Sequence, residues 1–301
     1  MDAYRFFNRN KYLAYIINWF CNTFNTATLS LLTSSMLVAI SGIFRVYIAS
    51  LLLDTHVSIV LCLAGGLIIY SVYTLDRTLD SDEDLINRTE LCGSCKELGF
   101  VVSIITAVIG GYILAQNRLL WIAFVPLVTG FLYSKGIRIG KLSLRLKGGL
   151  GAKNIVVGLI WGLSIIGIAG STCKSVISII IVFILYEAKV YINSVIDDFK
   201  DVKGDMRIGL RTLPVCLGER KTRRILLGLH MLSHTIVAFA LINGLIAFEP
   251  VIIAYSFLCG SVYIWKYAKN IKPQKLERGI LIDGESTIEI ILRLIVNMCP
   301  V

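Results

Sequence analysis

Six aspartates at a repeated spacing are the residues best suited to chemistry in this 301-residue chain. Asp76, Asp80 and Asp84 stand four apart, and so do Asp197, Asp201 and Asp205. The triplets, and the tyrosines Tyr70 and Tyr191 ahead of them, share an offset of 121 residues. At helical spacing, residues i and i+4 lie on one face, one turn apart. Like charges stacked this way repel. A divalent cation removes the repulsion. Mg2+ takes hard oxygen ligands, typically one or two carboxylates, waters and substrate phosphate oxygens. Two such clusters facing each other across a helix bundle would hold a metal-bridged diphosphate. A single acidic run is usually a solvated face. Two runs of equal spacing at the ends of apolar segments point to a shared site.

A second group is basic. Lys135, Arg138, Lys141, Arg145, Lys147 and Lys153 lie in one connection that contains no acid. Cations there can set membrane topology. They can also capture an anion, since a departing diphosphate needs its charge neutralised as the bond to carbon breaks. Lys135 and Arg138 lie nearest the preceding apolar segment and are the expected diphosphate ligands. Gly148 to Lys153 is not a P-loop, because GxxxxGK[ST] is absent. Cys92 and Cys95 form a lone CxxC, and one pair cannot complete a four-ligand zinc site. His230 and His234, four apart, read as a buried hydrogen-bonded pair. Glu289 and Arg293, also four apart, read as an ion pair. Glu187, Lys189 and Asn193 precede the second triplet inside an apolar segment. Intramembrane polar residues are functional candidates, and Asn193 is the expected pocket residue.

The elements that must position these groups follow from composition. The chain is 56% hydrophobic and 17% charged, with mean hydropathy +0.75. Soluble domains are less apolar and carry about 25% charged residues. This excludes a soluble enzyme, a disordered chain and a disulfide-rich module. Crossing a bilayer takes about 20 mostly apolar helical residues. Nine such segments are expected, near 27–46, 57–78, 99–116, 119–134, 154–171, 175–196, 225–247, 250–268 and 280–298. They are continuous apolar runs, unlike the alternating strands of a membrane barrel. Basic residues crowd alternate connections and the N-terminal stretch, which places those, with both aspartate triplets, on the cytoplasmic face. The net charge of +10 therefore reads as membrane orientation, not nucleic-acid binding. The eight cysteines are scattered, mostly within apolar runs, and read as reduced core residues. Met1 to Thr26 shows no cleavable signal pattern.

Asp76-x-x-x-Asp80-x-x-x-Asp84-x-x-Asn87-Arg88 resembles the first motif, NDxxDxxxDxxNR, of the UbiA superfamily of intramembrane prenyltransferases. Asp197-Asp198-x-x-Asp201-x-x-x-Asp205 resembles the second. Gly209-Leu210-Arg211-Thr212-Leu213-Pro214-Val215 and Gly218 resemble the family's G-x-RTLPV-x-x-G run. Asp stands at 76 and 197 where the family usually has Asn. Phe131 to Lys135 is similar to the family's YxxxK element, with Lys135 as the lysine and Tyr133 nearby. The resemblance implies an all-α fold of about nine transmembrane helices around a central cavity, capped by cytoplasmic loops. It implies one domain over residues 1–301, in two pseudo-repeated halves, roughly 20–150 and 151–301. It implies Mg2+ on the six aspartates. Lys135, Arg138 and Asp198 become the expected catalytic residues, and Tyr133, Asn193 and Arg211 the expected substrate contacts. The implied reaction moves a prenyl group from a polyprenyl diphosphate to a lipophilic acceptor, aromatic, quinone-like or prenyl-glyceryl. A terpene cyclase of the same family would share the first steps without an external acceptor. A cation-coupled transporter is a rival from another class, but transporter sites lie near the bilayer midplane, whereas these aspartates sit at the border. A CDP-alcohol enzyme would need DGxxAR, which is absent.

Overall fold

The computed structural model describes residues 23, 25–79, 91–134, 137–139, 142–144, 151–207, 209–269 and 275–298. Its helices are α1 (Thr26–Thr33), α2 (Met36–Leu52), α3 (Ile59–Thr78), α4 (Lys96–Gln116), α5 (Trp121–Ser134), α6 (Ala152–Ala169), α7 (Val176–Arg207), α8 (Leu213–Ile242), α9 (Pro250–Tyr267), α10 (Lys275–Ile282) and α11 (Glu285–Met298). All nine apolar segments read from the sequence are helical. Five stretches are long and apolar enough to cross a membrane: Thr26–Leu52, Ile59–Thr78, Lys96–Gln116, Val176–Arg207 and Leu213–Ile242. The only strands among the described residues are β1 (Ile137–Ile139) and β2 (Leu142–Leu144). They pair as an antiparallel hairpin within the basic connection, which charge alone did not signal.

Large apolar side chains such as Val101, Ile105, Val108, Phe239 and Trp265 face outward, while Arg45, Lys189, Asp198, Glu285 and Glu289 are buried. That inversion suits lipid as the surrounding solvent. Because lipid is as apolar as the side chains, helices associate through close packing of small residues. A Cβ on Gly110 would lie 3.1 Å from the Ala64 carbonyl oxygen, and one on Gly66 equally close to that of Ala39. These glycines bring α2, α3 and α4 together. Gly158 and Gly162 do the same for α6 against Glu187 of α7.

Four boundaries differ from expectation. The first segment breaks at Ser34 and Ser35, where the Ser34 hydroxyl turns back to the Leu31 carbonyl at 3.0 Å. The ninth breaks at Asp283 and Gly284, whose N–H groups both return to the Gly279 carbonyl. The sixth does not stop at the membrane border, since α7 runs 32 residues through the whole second triplet. That length is about 48 Å at 1.5 Å per residue, against a hydrocarbon core of about 30 Å. The end from Asp197 onward therefore projects. The seventh begins at Leu213 and bends at Gly218, where φ is +73°.

The turn joining α7 to α8 explains the Gly209–Pro214 run. Gly209 has φ +73°, and the Leu210 N–H returns to the Asp205 carbonyl at 2.8 Å. This is a glycine-stopped helix end. Thr212 then opens α8, with Pro214 in its first turn. Gly209→Ala is expected to lower stability by about 1–2 kcal/mol, the left-handed backbone penalty, because no atom lies within 4 Å of the added Cβ. Thermal unfolding of the purified variant checks this; an unchanged midpoint would mean the turn relaxes freely.

Candidate active site at the projecting helix ends

The second motif is held from three sides. Asp198 is 1% exposed. Its Oδ1 accepts from Lys153 Nζ at 2.9 Å and its Oδ2 from Asn154 Nδ2 at 2.9 Å. Asn154 also donates to Ser194 Oγ at 3.0 Å. Both partners lie in the first turn of α6, which starts after Gly151 at φ +65°. Asp198 was expected among the catalytic residues. In the structure its two bonded oxygens tie α6 to α7. Lys153, read only as one of several loop cations, is its counter-ion.

Asp197, Asp201 and Asp205 occupy successive turns of α7. Asp197 accepts from Lys200 at 3.3 Å and pairs with Arg278 of α10. Asp205 is buried and accepts from the Thr212 hydroxyl at 3.3 Å. Burial pushes the Asp205 carboxyl up to about 6; Lys153 pulls it down, while Asp198 and Asp201 raise it further. The ionised form is thus disfavoured first by burial and only secondarily by like charge, and a cation on this face would favour it.

On α3, Asp76 is half-buried. Beside it, Arg77 donates to Ser35 Oγ at 2.9 Å and to the Tyr73 carbonyl at 2.8 Å, with its guanidinium 5.8 Å from the Tyr73 ring centre. Thr74 donates to the same Ser35 hydroxyl at 3.0 Å. The break between α1 and α2 thereby fixes the end of α3. Tyr73 stacks on Trp161 of α6 at 5.7 Å. Asp283, at the α10–α11 break, lies in the field of Arg45, Arg278, Lys200 and Arg77. The connections that precede α3 and α7 share the opposite end of the bundle, where the Thr55 hydroxyl donates to the Ala169 carbonyl at 2.7 Å, so both acidic helix ends lie at one end.

Asp80, Asp84 and Lys135 lie outside the described residues. Tyr133 lies in the last turn of α5 and Arg138 in β1. Arg211 is exposed in the α7–α8 turn. Asn193, one turn before Asp197, is half-buried, and both its amide atoms are buried without a partner. Among the described residues no three Asp, Glu, His or Cys side chains converge as a metal set. The stacked carboxylates of Asp197, Asp201 and Asp205 nevertheless supply the hard oxygen donors that Mg2+ takes.

Of two minor readings, one holds and one does not. His230 and His234 are buried, with ring centres 4.2 Å apart, as expected. Glu289 and Arg293 do not pair with each other. Glu289 accepts from Lys189 at 3.1 Å, and Arg293 binds both oxygens of Glu249. Glu289 finds its charge on α7 and Arg293 at Glu249, the residue that precedes α9, partners that spacing along α11 could not reveal.

Fold and site together define a polytopic membrane protein with carboxylate-bearing helix ends gathered at one end of the bundle. The profile of the UbiA prenyltransferase family matches residues 27–280, and the chain belongs to that family. Among solved structures, a UbiA homolog from Archaeoglobus fulgidus bound to DMAPP and Mg2+ is similar at TM-score 0.61 and 14% identity, covering 92% of this chain and 100% of that one. The apo UbiA homolog from Aeropyrum pernix K1 gives 0.60 and 15%, covering 87% and 98%. A digeranylgeranylglyceryl phosphate synthase gives 0.53 and 18%, covering 89% and 95%. A search of curated proteins found no match.

Proposed function

We propose that the protein transfers a prenyl group from a polyprenyl diphosphate to a lipophilic acceptor in the membrane, with Mg2+ as cofactor. The observation that carries this reading is the row Asp197, Asp201 and Asp205 on the projecting end of α7, fixed through Asp198 by Lys153 and Asn154 and at Asp205 by Thr212. Family membership and the DMAPP and Mg2+ bound to the Archaeoglobus homolog support it. Asp76, Asp80, Asp84, Asp197, Asp201 and Asp205 would hold Mg2+. When bound, the metal would neutralise the diphosphate as it leaves. Asp198 positions the row by tying α7 to α6. Lys135, Arg138 and Arg211 would hold the diphosphate oxygens, with Tyr133 and Asn193 beside the substrate. The apolar interior excludes water from the allylic cation left behind, which water would otherwise consume.

The test is mass spectrometry of lipids from membranes containing the protein, supplied with isotopically labelled geranylgeranyl diphosphate. A labelled prenyl adduct formed only with Mg2+ is the expected result. Neither an adduct nor diphosphate release would sink the reading.

The acidic ends should face the cytoplasm, as the distribution of basic loops supports. Cys92 and Cys216 are exposed free thiols, and Cys173 lies in the connection between α6 and α7. Single-cysteine variants in inside-out vesicles should label with an impermeant maleimide at Cys92 and Cys216 but not at Cys173. The reverse pattern would invert the topology.

A further inference from the structure

Helix α10 brings a cation onto the acidic row. Arg278 pairs directly with Asp197 Oδ1, the oxygen that also accepts from Lys200 at 3.3 Å. Asp197 is a position where an acid stands in place of the family's usual Asn. Arg278 therefore meets a charge that this chain adds to the motif.

The base of the arginine is fixed. Its neighbour Glu277 pairs with Lys266 of α9. The Cys259 thiol of α9 donates to the Leu281 carbonyl at 3.5 Å. Ile282, 3% exposed, packs in one apolar cluster with Ile196 and Phe199 of α7. These contacts dock α10 on α7 and α9. The far end of the arginine is held less firmly. The Asp197 side chain is 51% exposed, and an ion pair so open to water binds its partners weakly.

A divalent cation would contest this pairing. Asp201 follows Asp197 by one turn, about 6 Å along the helix. A metal ion between the two carboxylates would lie within that distance of the guanidinium, and like charges at that range repel. A diphosphate reverses the balance, because it brings negative charge that both cations can share. A guanidinium suits this, since its fork can donate two parallel hydrogen bonds to phosphate oxygens.

We infer that Arg278 is an exchangeable counter-ion. It occupies Asp197 in the resting protein, yields that carboxylate to Mg2+, and moves its guanidinium to the diphosphate that arrives with the metal. Metal and diphosphate are thereby coupled, each raising the affinity for the other by the same factor. The inference rests on the prenyl-transfer reading and adds an order to it: Mg2+ is held weakly until the donor comes.

The test uses the purified full chain in nanodiscs. Mn2+, which suits the same carboxylate ligands, is titrated alone and read by electron paramagnetic resonance. Binding of geranylgeranyl S-thiolodiphosphate is measured separately by calorimetry at saturating Mg2+. Arg278→Gln should bind Mn2+ alone about three- to fivefold tighter, the ceiling for a half-exposed ion pair. The same variant should bind the diphosphate about tenfold more weakly, the loss of one charge-assisted contact. Arg278→Lys keeps the charge and loses the fork, so Mn2+ affinity should stay within about twofold and diphosphate binding recover only in part. In an Asp197→Asn background, Arg278→Gln should no longer tighten Mn2+, because the contested carboxylate is gone. A purely structural role gives a different sign: loosening α10 would leave Mn2+ binding unchanged or weaker. Either of those results, equal tightening in the Asp197→Asn background, or undiminished diphosphate binding would overturn the inference. Failure of the wild type to bind the diphosphate while still binding Mn2+ would instead strike the prenyl-transfer reading.

Discussion

Asp201→Asn should reduce prenyl transfer at limiting Mg2+ roughly a hundredfold while leaving the protein folded in the membrane. Asn keeps the shape of the side chain and its place on α7, and loses only the charge. One charge-assisted contact contributes up to about 3 kcal/mol, and each 1.4 kcal/mol is about tenfold. Stability should hold or rise slightly, because Asp201 is one of the carboxylates that crowd Asp205. Labelled-donor turnover against Mg2+ concentration, paired with thermal unfolding, separates the two effects. Near-wild-type transfer at low Mg2+ would remove Asp201 from the metal set.

Lys189→Met should have the largest effect on stability. It leaves Glu285 and Glu289, at 0% and 2% exposure, without the cation that lies 3.2 and 3.1 Å from them. Removing one partner of a buried ion pair costs about 3–5 kcal/mol. In a chain of this size that is a fall of roughly 10 °C in the unfolding midpoint. Adding Glu289→Gln to Lys189→Met should recover part of the loss, since one uncompensated charge disappears. A midpoint within about 2 °C of wild type, on the same scale, would mean water reaches the cluster freely. The double variant then discriminates: recovery requires the direct Lys189–Glu289 contact.

The helices were legible because the signal is bulk: about 20 apolar residues mark a span whatever their order. The breaks were not, because Ser34–Ser35 and Asp283–Gly284 sit inside stretches that stay apolar on average. The α7 extension escaped for the opposite reason. Asp197 to Arg207 is too polar to read as a span, yet it continues the helix because Gly209 is the first residue to stop it. At the site, spacing alone disclosed the Asp rows, since i and i+4 positions meet within one helix. The Lys153–Asp198 pair is separated by 45 residues and leaves no local trace. The same holds for Arg293 with Glu249 and Arg278 with Asp197. Asn193 was visible because an amide inside an apolar run is conspicuous.

The Lys189–Glu289 bridge also bears on how the chain is made. Lys189 leaves the ribosome 100 residues ahead of Glu289. A lysine at the centre of a span opposes insertion by about 2.5–3.5 kcal/mol on the translocon scale, so α7 must enter on the strength of its own Ile- and Val-rich first half. Glu285 and Glu289 then arrive on α11, a segment with two acids and only 14 residues. In the folded bundle both acids meet the Lys189 ammonium, so the last segment is held by charge pairing where its own hydropathy falls short of a span.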